Sequence, residues 1–501
     1  MTADIEYEKQ LAVHETGIAG LKILDLCVHG DARGWFKENW QREKMTELGI
    51  PDVHVVQNNI SFNAQAGVTR GIHAEPWDKF ISIATGSVFG AWVDLRAGSA
   101  TFGKCFTCTL DPGKAIYVPR GVGNSFQALE DNTTYTYLVN AHWSAELKKT
   151  YTYVNLADPQ LAIQWPIPLD KAVVSEADKT HPMLKDVIPM APKRTLVTGC
   201  NGQLGHAIRQ LANERGIADT FDFVDREQFD ISSTGAYDSI NWELYQTVIN
   251  CGAYTAVDAA ETPDGRIDCW KANAEGPALL ARKCTEYGIT LVHVSSDYVF
   301  DGTKEMYTEE EPFSPLGVYG QSKAAGDLSV AGTPKHYIVR SSWAIGEGKN
   351  FVKTMCALST SAAQGKLDKV TVVNDQFGRL SFTDQIAKAI FWLLGYRGND
   401  ITPSKHCEYG TYNVTGAGAV KSWSDIAKIC FNAKNGNEEA VLPVDSKYYS
   451  EHSDHIVAAR PQNSALDLTK LEDTGFIPHN WEEELKDYIS NMANKELGLE
   501  S

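Results

Sequence analysis

The first third of the chain is a series of short segments in which apolar and polar residues alternate. Examples are FISIATG at 80–86, VFGAWVDL at 88–95 and TYTYLVN at 134–140, and glycine, proline or aspartate residues separate them. Alternation with a period of two, broken by turn residues, is typical of strands in an antiparallel sandwich or barrel. The pattern predicts an all-β domain that covers about residues 20–165.

From Arg194 the pattern changes to apolar strands that are each followed by a helical segment. TLVTG at 195–199 precedes LGHAIRQLANERG at 204–216, and TVINCGA at 247–253 precedes GPALLARKCTEYG at 276–288. Alternation of strands and helices predicts right-handed βαβ units, with helices on both faces of a parallel sheet. The second half is therefore predicted to be an α/β domain with a doubly wound sheet.

A segment rich in proline, lysine and aspartate lies between the two patterns. Its sequence, PIPLDKAVVSEADKTHPMLKDVIPMAPK at 166–193, has the composition of a linker. We place the boundary near residue 190, which gives an all-β domain of residues 1–190 and an α/β domain of residues 191–501. The α/β domain is expected to end in a smaller part that binds substrate.

Composition and charge narrow the choice of partners. Hydrophobic residues make up 43% of the 501 residues, and no apolar run reaches the roughly 18 residues of a membrane span. The N-terminus is acidic where a secretory signal is basic and apolar, and the ten cysteines show no disulfide spacing. The net charge of −18 argues against a nucleic-acid partner. We expect a cytoplasmic protein without a membrane partner.

Three glycines after the first α/β strand form a nucleotide-binding turn. Gly199, Gly202 and Gly205 in TGCNGQLG lie between a strand and a helix, where their lack of a Cβ lets a pyrophosphate approach the helix N-terminus. Asp225 follows about twenty residues later, where it can accept hydrogen bonds from the adenosine ribose. Its neighbour Arg226 can instead pair with a 2′-phosphate, so NAD and NADP both remain open.

The residues for reduction chemistry follow the third apolar strand. Tyr319 and Lys323 are four residues apart, which places both side chains on one face of a helix. An ammonium near a phenol favours the phenolate and so helps the phenol give its proton to a carbonyl oxygen. Ser296 ends the strand ITLVHVSS and can hydrogen-bond the same oxygen.

With these motifs the second domain resembles the extended short-chain dehydrogenase/reductases, and within them the dTDP-4-dehydrorhamnose reductases. The resemblance covers residues 194–495 and rests on segments such as INCGAYTAVDAAE, SSDYVFDG, YGQSK and ARPQNSALD. It implies a Rossmann-type fold and a catalytic trio of Ser296, Tyr319 and Lys323. It also implies NADPH or NADH as cofactor, in contact with Gly199, Asn201, Gly202, Gln203, Leu204, Gly205, Asp225, Ala253, Tyr254, Tyr319 and Lys323.

The same resemblance implies a sugar site and raises the question of a metal. Asp297, Tyr298 and Trp343 match positions that hold the sugar, although Trp343 can also be read as a core residue. Some members of the family are reported to use magnesium. The sequence shows no ligand cluster in which to place that ion.

The all-β domain contains a histidine and a lysine that can act on a ketone. In VTRGIHAEPWDK, a neutral His73 is suited to remove a proton near pH 7, and Lys79 can stabilise the enolate that results. Ala74 follows His73, and Asn124 occupies the later loop, so histidines do not converge on a metal as they do in catalytic metal sites. We therefore predict a metal-free site.

This domain resembles the dTDP-4-dehydrorhamnose 3,5-epimerases across about residues 20–190. The segments DARGWFKENW, RGIHAEPWDK, YVPRGVGNSFQAL and SEAD carry the resemblance. It implies a cupin-like jelly roll in which His73 is the base, Asp178 orients its imidazole, Lys79 stabilises the enolate and Tyr137 returns the proton. It also implies that the nucleotide sugar is bound by Arg33, Phe36, Glu38, Gln57, Asn59, Arg70 and Asn124.

Three residues depart from the pattern of the epimerase family. Asn124 stands where the family usually has histidine, Asn58 where it often has aspartate, and Trp143 where it has a second tyrosine. Tryptophan offers an indole N–H but no acidic proton. The departures put one epimerisation step, or the sugar preference, in question.

Together the two resemblances predict a bifunctional enzyme. The first domain would epimerise dTDP-4-dehydro-6-deoxy-D-glucose at C3 and C5, and the second would reduce the C4 ketone to give dTDP-L-rhamnose. Two alternatives stay open: the same chemistry on another nucleotide sugar, and a regulatory protein that binds nucleotide without turnover. By resemblance, the epimerase domain is expected to form a homodimer.

Overall fold

The computed structural model describes residues 5–145, 147–398, 400 and 403–496. The chain divides into two compact units, Met1–Pro192 and Lys193–Ser501. Within the described residues, the model contains no helix with the length and apolar character that crossing a bilayer requires.

The first unit is built mainly from strands. Its strands are β1 (Ala12–Glu15), β2 (Lys22–Asp25), β3 (Val28–Asp31), β4 (Gly34–Lys37), β5 (Gln57–Asn63), β6 (Val68–Ala74), β7 (Lys79–Thr85), β8 (Val88–Asp94), β9 (Cys105–Leu110), β10 (Lys114–Val118), β11 (Val122–Ala128), β12 (Thr133–Val139), β13 (Thr152–Tyr153) and β14 (Val173–Val174). Two short helices accompany them, α1 (Arg42–Glu47) and α2 (Glu176–Lys179).

These strands form two sheets and a hairpin. One sheet has the antiparallel order β1-β2-β10-β7-β12-β5, the other has the order β13-β6-β11-β8-β9, and β3 pairs only with β4. Side chains such as Ile81, Trp92 and Tyr135 pack together in a buried core that draws on both sheets. The alternation along strands β7 to β12 thus reflects one face turned to this core and one turned away.

The segment with linker composition is part of the first unit. Within it β14 pairs in parallel with β6, and Ser175 caps α2 by accepting a hydrogen bond from the Asp178 amide. Val187 and Met190 are buried in a second apolar cluster of this unit. The composition therefore misleads because prolines and charged residues here alternate with apolar residues that cover the sheet.

The second unit alternates strands and helices. Its strands are β15 (Arg194–Thr198), β16 (Phe221–Val224), β17 (Tyr245–Asn250), β18 (Thr290–Ser296), β19 (His336–Ser341), β20 (Ala344–Ile345), β21 (Val370–Val373), β22 (Phe377–Gly378), β23 (Ser381–Phe382), β24 (Gly410–Asn413), β25 (Lys421–Ser422) and β26 (Val441–Val444). Its helices are α3 (Gln203–Glu214), α4 (Pro263–Trp270), α5 (Gly276–Tyr287), α6 (Val318–Ala331), α7 (Phe351–Ala363), α8 (Thr383–Leu393), α9 (Trp423–Asn435), α10 (Ser446–Glu451), α11 (Thr469–Glu472) and α12 (Trp481–Glu496).

A six-stranded parallel sheet forms the centre of this unit, in the order β16-β15-β17-β18-β19-β24. Consecutive residues of β15 face opposite sides: Val197 packs with α3 and α8, whereas Leu196 packs with α5 and α6. The sheet is thus covered by helices on both faces, as the continuous apolar strands predict. The order changes direction between β15 and β17, which leaves a crevice at the carboxyl ends of these strands.

A smaller lobe adjoins the sheet and has its own apolar core. Helices α7, α9 and α12 pack around buried residues that include Cys356, Phe431 and Trp481. Short strand pairs, β20 with β23 and β22 with β25, connect this lobe to the main sheet region. The lobe forms the second wall of the crevice described below.

Candidate active sites

The crevice of the second unit is a cleft of about 1280 Å³. It opens at the carboxyl ends of β15, β17 and β18, the position at which parallel α/β sheets bind ligands. Every residue predicted for the second domain lines it: Gly199, Asn201, Gly202, Gln203, Leu204, Gly205, Asp225, Ala253, Tyr254, Ser296, Asp297, Tyr298, Tyr319, Lys323 and Trp343.

The glycine turn at one end of the cleft tolerates no side chain at two of its positions. Gly199 has φ +64°, and a Cβ there would lie 2.6 Å from the amide nitrogen of Gly252. A Cβ on Gly205 would lie 2.6 Å from the Cα of Cys200. Gly202 precedes α3 without a side-chain cap, so the first amides of the helix face the cleft unsatisfied by a capping side chain.

Asp225 follows β16 directly and borders the same end of the cleft. Its Oδ2 accepts a hydrogen bond from Asn201 Nδ2 at 3.1 Å, and its Oδ1 accepts from the Glu227 amide at 3.0 Å. The side chain of Arg226 is exposed, with its Nε 3.4 Å from Asp230 Oδ2. A carboxylate and a loosely held guanidinium are therefore both available where a ribose or a 2′-phosphate would lie.

The predicted catalytic trio lines the cleft. Ser296 ends β18, and Tyr319 and Lys323 lie one turn apart on α6. Lys323 is buried and donates from Nζ to the carbonyl of Val294 at 2.6 Å. Burial lowers the pKa of Lys323 to about 8. Burial also raises the pKa of Tyr319 above its usual value, so the phenol keeps its proton, while a hydrogen bond with Ser296 opposes that rise.

Two predicted sugar ligands lie beside the trio. Asp297 is buried, accepts from Ser296 Oγ at 3.1 Å, and has a pKa that burial raises to about 7. The ring of Tyr298 meets the ring of Tyr319 edge to face at 5.5 Å. The position of these groups provides polar contacts close to the phenol of Tyr319.

Trp343 is held by a partner that the sequence did not reveal. It has φ +44°, a left-handed conformation that is uncommon outside glycine, and its ring stacks on Trp423 at 3.8 Å. Trp423 also lines the cleft and begins α9, 80 positions later in the chain. Phe351 packs against Trp423 at 4.3 Å. The sequence signal for Trp423 is its place directly after Ser422, which caps α9. That signal does not indicate that Trp343 is the partner of Trp423.

The loop that carries Ala253 and Tyr254 is fixed by another residue absent from the prediction. The side chain of Asn273 accepts from the Tyr254 amide at 2.8 Å and donates to the Tyr254 carbonyl at 3.0 Å. Asn273 is buried in the wide helical turn between α4 and α5. Because both backbone groups of Tyr254 are satisfied, the loop is held as one wall of the cleft.

The first unit brings together His73 and Asp178 across a sequence separation of 105 residues. His73 lies on β6, and its Nε2 is 2.7 Å from Asp178 Oδ1. Asp178 Oδ2 accepts from the Gly71 amide at 3.4 Å. Burial alone would raise the pKa of Asp178, but hydrogen bonds from His73, Gly71 and Ser175 hold it below its usual value. The carboxylate therefore stays charged beside the imidazole.

Lys79 is buried in the same unit. Its Nζ forms an ion pair with Glu75 and lies 5.3 Å from the centre of the Tyr137 ring. Burial raises the pKa of Tyr137, which keeps its phenol protonated. Glu75 was not among the predicted residues, although its position four residues before Lys79 was visible. It provides the negative charge that allows a lysine to be buried.

The three departures from the epimerase pattern have distinct surroundings. Asn124 lies opposite His73 in the β11–β6 pairing and accepts from Tyr135 Oη at 2.9 Å. Asn58 accepts from Thr136 Oγ1 at 3.1 Å on the exposed side of β5. The side chain of Trp143 is 56% exposed. Of these three residues, Asn124 is thus the one that pairs directly with His73.

The predicted sugar ligands of the first unit fall into two groups. Gln57 and Asn59 lie on β5, joined by a 2.7 Å hydrogen bond, with Asn59 opposite Tyr137 in the strand pairing. Arg70 is on β6 and donates to Asn63 at 3.3 Å. The second group lies on or beside the exposed β3–β4 hairpin, where the hydrogen bonds are local, and consists of Arg33, Phe36 and Glu38.

Two clusters within the described residues have the spacing to hold a metal ion. They are Glu8, Cys27 and His29 on the surface, and His73, Asp178 and His181 around the first site. Magnesium prefers oxygen ligands, whereas both clusters contain imidazoles. The structure therefore gives no support to the magnesium ion that the reductase resemblance raised.

Comparison with known proteins assigns each unit. A family model described as dTDP-4-dehydrorhamnose 3,5-epimerase matches residues 15–186. A model described as RmlD substrate binding domain matches residues 193–494. A protein named RmlC homolog from Streptococcus pyogenes serotype M6 is 52% identical over 193 residues, which are 37% of this chain and 96% of that protein.

Relatives of the second unit are similar over nearly their whole length. A dTDP-4-dehydrorhamnose reductase from Aggregatibacter actinomycetemcomitans is 34% identical over 300 residues, which are 58% of this chain and 97% of that protein. A solved dTDP-4-dehydrorhamnose reductase from Bacillus anthracis, in complex with NADP, is 31% identical, covers 60% of this chain and 99% of that one, and has a TM-score of 0.51. The chain therefore belongs to the RmlD family through its second unit and to the dTDP-4-dehydrorhamnose 3,5-epimerase family through its first, as a fusion of the two.

Proposed function

We propose that the chain is a bifunctional enzyme of dTDP-L-rhamnose formation. The first unit epimerises dTDP-4-dehydro-6-deoxy-D-glucose at C3 and C5, and the second reduces the C4 ketone with NADPH. The observation that carries this proposal is that one chain holds both an imidazole paired with a buried carboxylate and a cleft with the Ser296, Tyr319 and Lys323 trio. The first unit matches a family named for the epimerisation, and the relatives of the second unit are named for the reduction.

Epimerisation begins at His73. Because Nε2 faces Asp178, Nδ1 is the atom that takes a proton from a carbon next to the ketone. The C–H bond breaks and its electron pair moves to the C4 oxygen as an enolate, while His73 becomes an imidazolium beside the charged Asp178. The buried ammonium of Lys79 stabilises the negative oxygen.

Inversion needs a proton from the other face of the sugar. Tyr137 keeps its phenol protonated and lies against Lys79, so it can give that proton to the carbon as the enolate collapses. His73 then releases its proton to solvent, and Tyr137 takes one up. Repeated at C3 and C5, the sequence exchanges both hydrogens with water.

Reduction takes place in the cleft of the second unit. A nicotinamide cofactor held along the glycine turn and Asp225 would supply the hydride for C4. Tyr319 donates its phenolic proton to the C4 oxygen, and the hydroxyl of Ser296 holds that oxygen. Lys323, charged below a pKa of about 8, favours loss of the phenolic proton because a nearby ammonium stabilises the phenolate.

The residues of the cleft fit a dinucleotide. Positions 199 and 205 have no room for a Cβ, and the uncapped start of α3 presents amide groups to a pyrophosphate. We assign the cofactor as NADPH from the NADP complex of the Bacillus anthracis relative and from the exposed guanidinium of Arg226. We also propose that residues 1–190 form a cupin-like jelly roll and residues 191–501 a Rossmann-type domain.

The epimerase unit is proposed to act as a homodimer. Exposed apolar side chains lie on the edge strand β5 and on the β3–β4 hairpin, among them Ile60, Phe62 and Phe36. Burial of this face against a second copy would remove apolar area from water. In such a dimer, the exposed Arg33 and Glu38 could reach the sugar site of the other copy. Within one copy they bond only to nearby residues, Asp31 and Lys44, in the hydrogen bonds described.

Complementation between two variants tests the assignment of one reaction to each unit. His73→Asn removes the base and Tyr319→Phe removes the proton donor for reduction. On dTDP-4-dehydro-6-deoxy-D-glucose with NADPH, each variant alone should form no dTDP-L-rhamnose, and an equimolar mixture should form it. The exposed-site variant Tyr287→Phe serves as control. A mixture as inactive as its components would contradict the proposal.

A further inference from the structure

His181 is a second imidazole bound to the carboxylate of the first site. Its Nε2 lies 3.2 Å from Asp178 Oδ1, the same oxygen that His73 contacts at 2.7 Å. It follows α2 and is three residues from Asp178, and its side chain is 13% exposed. His181 belongs to none of the sequence motifs and takes no part in the proton transfers of His73 and Tyr137.

The position of His181 is fixed from several sides. Its ring stacks on Tyr153 at 4.5 Å with an angle of 21° between the planes, and Tyr153 lies opposite His73 in the β13–β6 pairing. The His73 and His181 rings are 5.4 Å apart and nearly perpendicular. Asn155 holds the backbone by donating to the His181 carbonyl at 3.0 Å. Both the ring of His181 and its backbone are therefore held in place.

The shared oxygen determines where the protons are. A carboxylate oxygen only accepts, so both Nε2 atoms carry hydrogen and each ring keeps its proton-accepting atom at Nδ1. Burial lowers the pKa of His181, and the charge on His73 lowers it further, whereas Asp178 opposes the change. His181 therefore remains neutral when His73 takes up the substrate proton.

We propose that His181 is a positioning residue that sets the basicity of His73 through Asp178. Its N–H holds Oδ1 next to Nε2 of His73 and withdraws part of the negative charge that would otherwise act on His73 alone. Without this donor, Asp178 holds the His73 proton more strongly and its carboxylate is free to rotate. The inference rests on the proposed epimerase function of the first unit.

The charges that face His181 fix the direction of the pH effect. They are His73 on β6, Asp178 three residues before His181, and Lys148 in the turn at Leu147–Thr150. Tyr153 on β13 stacks its ring on that of His181. Loss of the His181 donor makes the carboxylate of Asp178 a better acceptor, so His73 holds its proton more strongly. The base is then free only at higher pH, so the acid limb of the epimerase rate moves upward.

Two substitutions test the N–H donor and the aromatic ring of His181 independently. His181→Phe keeps a flat ring on Tyr153 but lacks the N–H, and His181→Gln keeps an N–H near the position of Nε2 but lacks the ring. Exchange of the C3 and C5 hydrogens in deuterated water reports kcat and KM directly. We expect His181→Phe to lower kcat about tenfold with KM unchanged, the scale of a weakened charge-assisted hydrogen bond, and to shift the acid limb to higher pH. His181→Gln should restore both.

The controls distinguish the possible failures. His54→Phe, at an exposed histidine of the same unit, should leave the exchange rate unchanged. No exchange by the unaltered chain would refute the proposed epimerase itself. Exchange by His181→Phe with an unchanged kcat and pH profile, or equal losses in both His181 variants, would overturn the positioning role.

A measurement on the unaltered chain keeps the inference testable if His181→Phe does not fold. Nitrogen-15 chemical shifts of the histidine rings report the position of each proton. We expect His181 to carry its hydrogen on Nε2 and to stay neutral at about pH 6.5, where an ordinary histidine is half charged. A His181 ring that is charged there, or that carries its hydrogen on Nδ1, would overturn the inference.

Discussion

At the scale of single residues, both sites place an ionisable group where burial changes its proton affinity. In the reductase cleft the lysine loses affinity for its proton and the tyrosine gains it, so Lys323 is charged and Tyr319 is neutral near pH 7. In the epimerase site the hydrogen bonds to Asp178 outweigh burial and keep it ionised. Burial thus keeps the proton on the donor Tyr319 in the second unit. In the first unit, hydrogen bonds that outweigh burial keep Asp178 charged beside the base His73.

The buried lysine makes reduction dependent on pH. A pKa of about 8 means that Lys323 is charged below that pH and loses its proton as the pH rises through it. The ammonium helps Tyr319 to give up its proton, so kcat for reduction should fall as the pH rises above about 8. The test is NADPH oxidation between pH 6.5 and 9.5, with excess Tyr319→Phe chain added to keep epimerisation fast. A rate that stays constant up to pH 9.5 would argue against a charged Lys323.

Residue motifs predicted the chemistry better than the packing that supports it. The Tyr319–Lys323 spacing and the glycine turn are local patterns, so they can be read from sequence, and the structure places these residues in one cleft. Glu75 and His181 lie within four residues of their partners but belong to no motif that marks them, whereas Trp423 was missed because its partner Trp343 lies 80 positions earlier in the chain. Only the folded chain brings such partners together.

At the scale of elements, the close approach of α6 to the turn at Asp297–Val299 positions Tyr319. A Cβ on Gly320 would lie 2.2 Å from the Tyr298 carbonyl oxygen and 3.0 Å from the Pro315 Cβ. The glycine therefore lets the helix lie directly on the strand end that carries Ser296. This contact, rather than helix propensity, accounts for a glycine inside α6.

Gly320→Ala should push α6 away from Ser296. We expect the free energy of unfolding of the second unit to fall by about 1–3 kcal/mol, the usual cost of overpacking, and kcat for reduction to fall more than about tenfold. Gly332→Ala at the end of the same helix is the matched control, because its nearest atom, Ser329 O, is 3.7 Å from the added Cβ. Thermal unfolding and NADPH oxidation measure the two effects. Equal behaviour of the two variants would count against this account of α6.

The stacked tryptophans form a second positioning contact, between the sheet region and the smaller lobe. Trp343 is held at φ +44°, a conformation that costs on the order of 1–3 kcal/mol unless its surroundings enforce it. Trp423→Ala removes the stack, so Trp343 should relax and KM for the keto sugar in reduction should rise about tenfold. Trp423→Phe keeps a ring in place and should stay within about threefold of the unaltered chain. An unchanged KM in Trp423→Ala would show that the stack does not position the sugar site.

The order of strands illustrates the part of the fold that sequence patterns do not provide. Periodicity predicted strands at FISIATG, VFGAWVDL and TYTYLVN, and these segments form β7, β8 and β12. The pairing of β7 with both β10 and β12, and of β8 with β11, joins strands that are not consecutive in the chain. Composition likewise suggested a linker where β14 and α2 place Asp178 against β6.

At the scale of the whole molecule, the chain joins two catalysts in the order in which their reactions occur. The epimerase unit has its own core, and so does the reductase unit. Covalent linkage keeps the two activities at equal amounts and raises the local concentration of the keto sugar's consumer. A net charge of −18 offers no general attraction for an anionic nucleotide sugar, so binding depends on local donors at each site.

The central claim is that one chain labilises C3 and C5 and then reduces C4. The most direct test is mass spectrometry of the products formed from dTDP-4-dehydro-6-deoxy-D-glucose in deuterated water, with and without NADPH. Without NADPH the keto sugar should gain two deuterium atoms, and with NADPH the product should be dTDP-L-rhamnose that retains both. A reduced sugar without deuterium at C3 and C5, or a keto sugar that is unchanged under both conditions, would contradict the account.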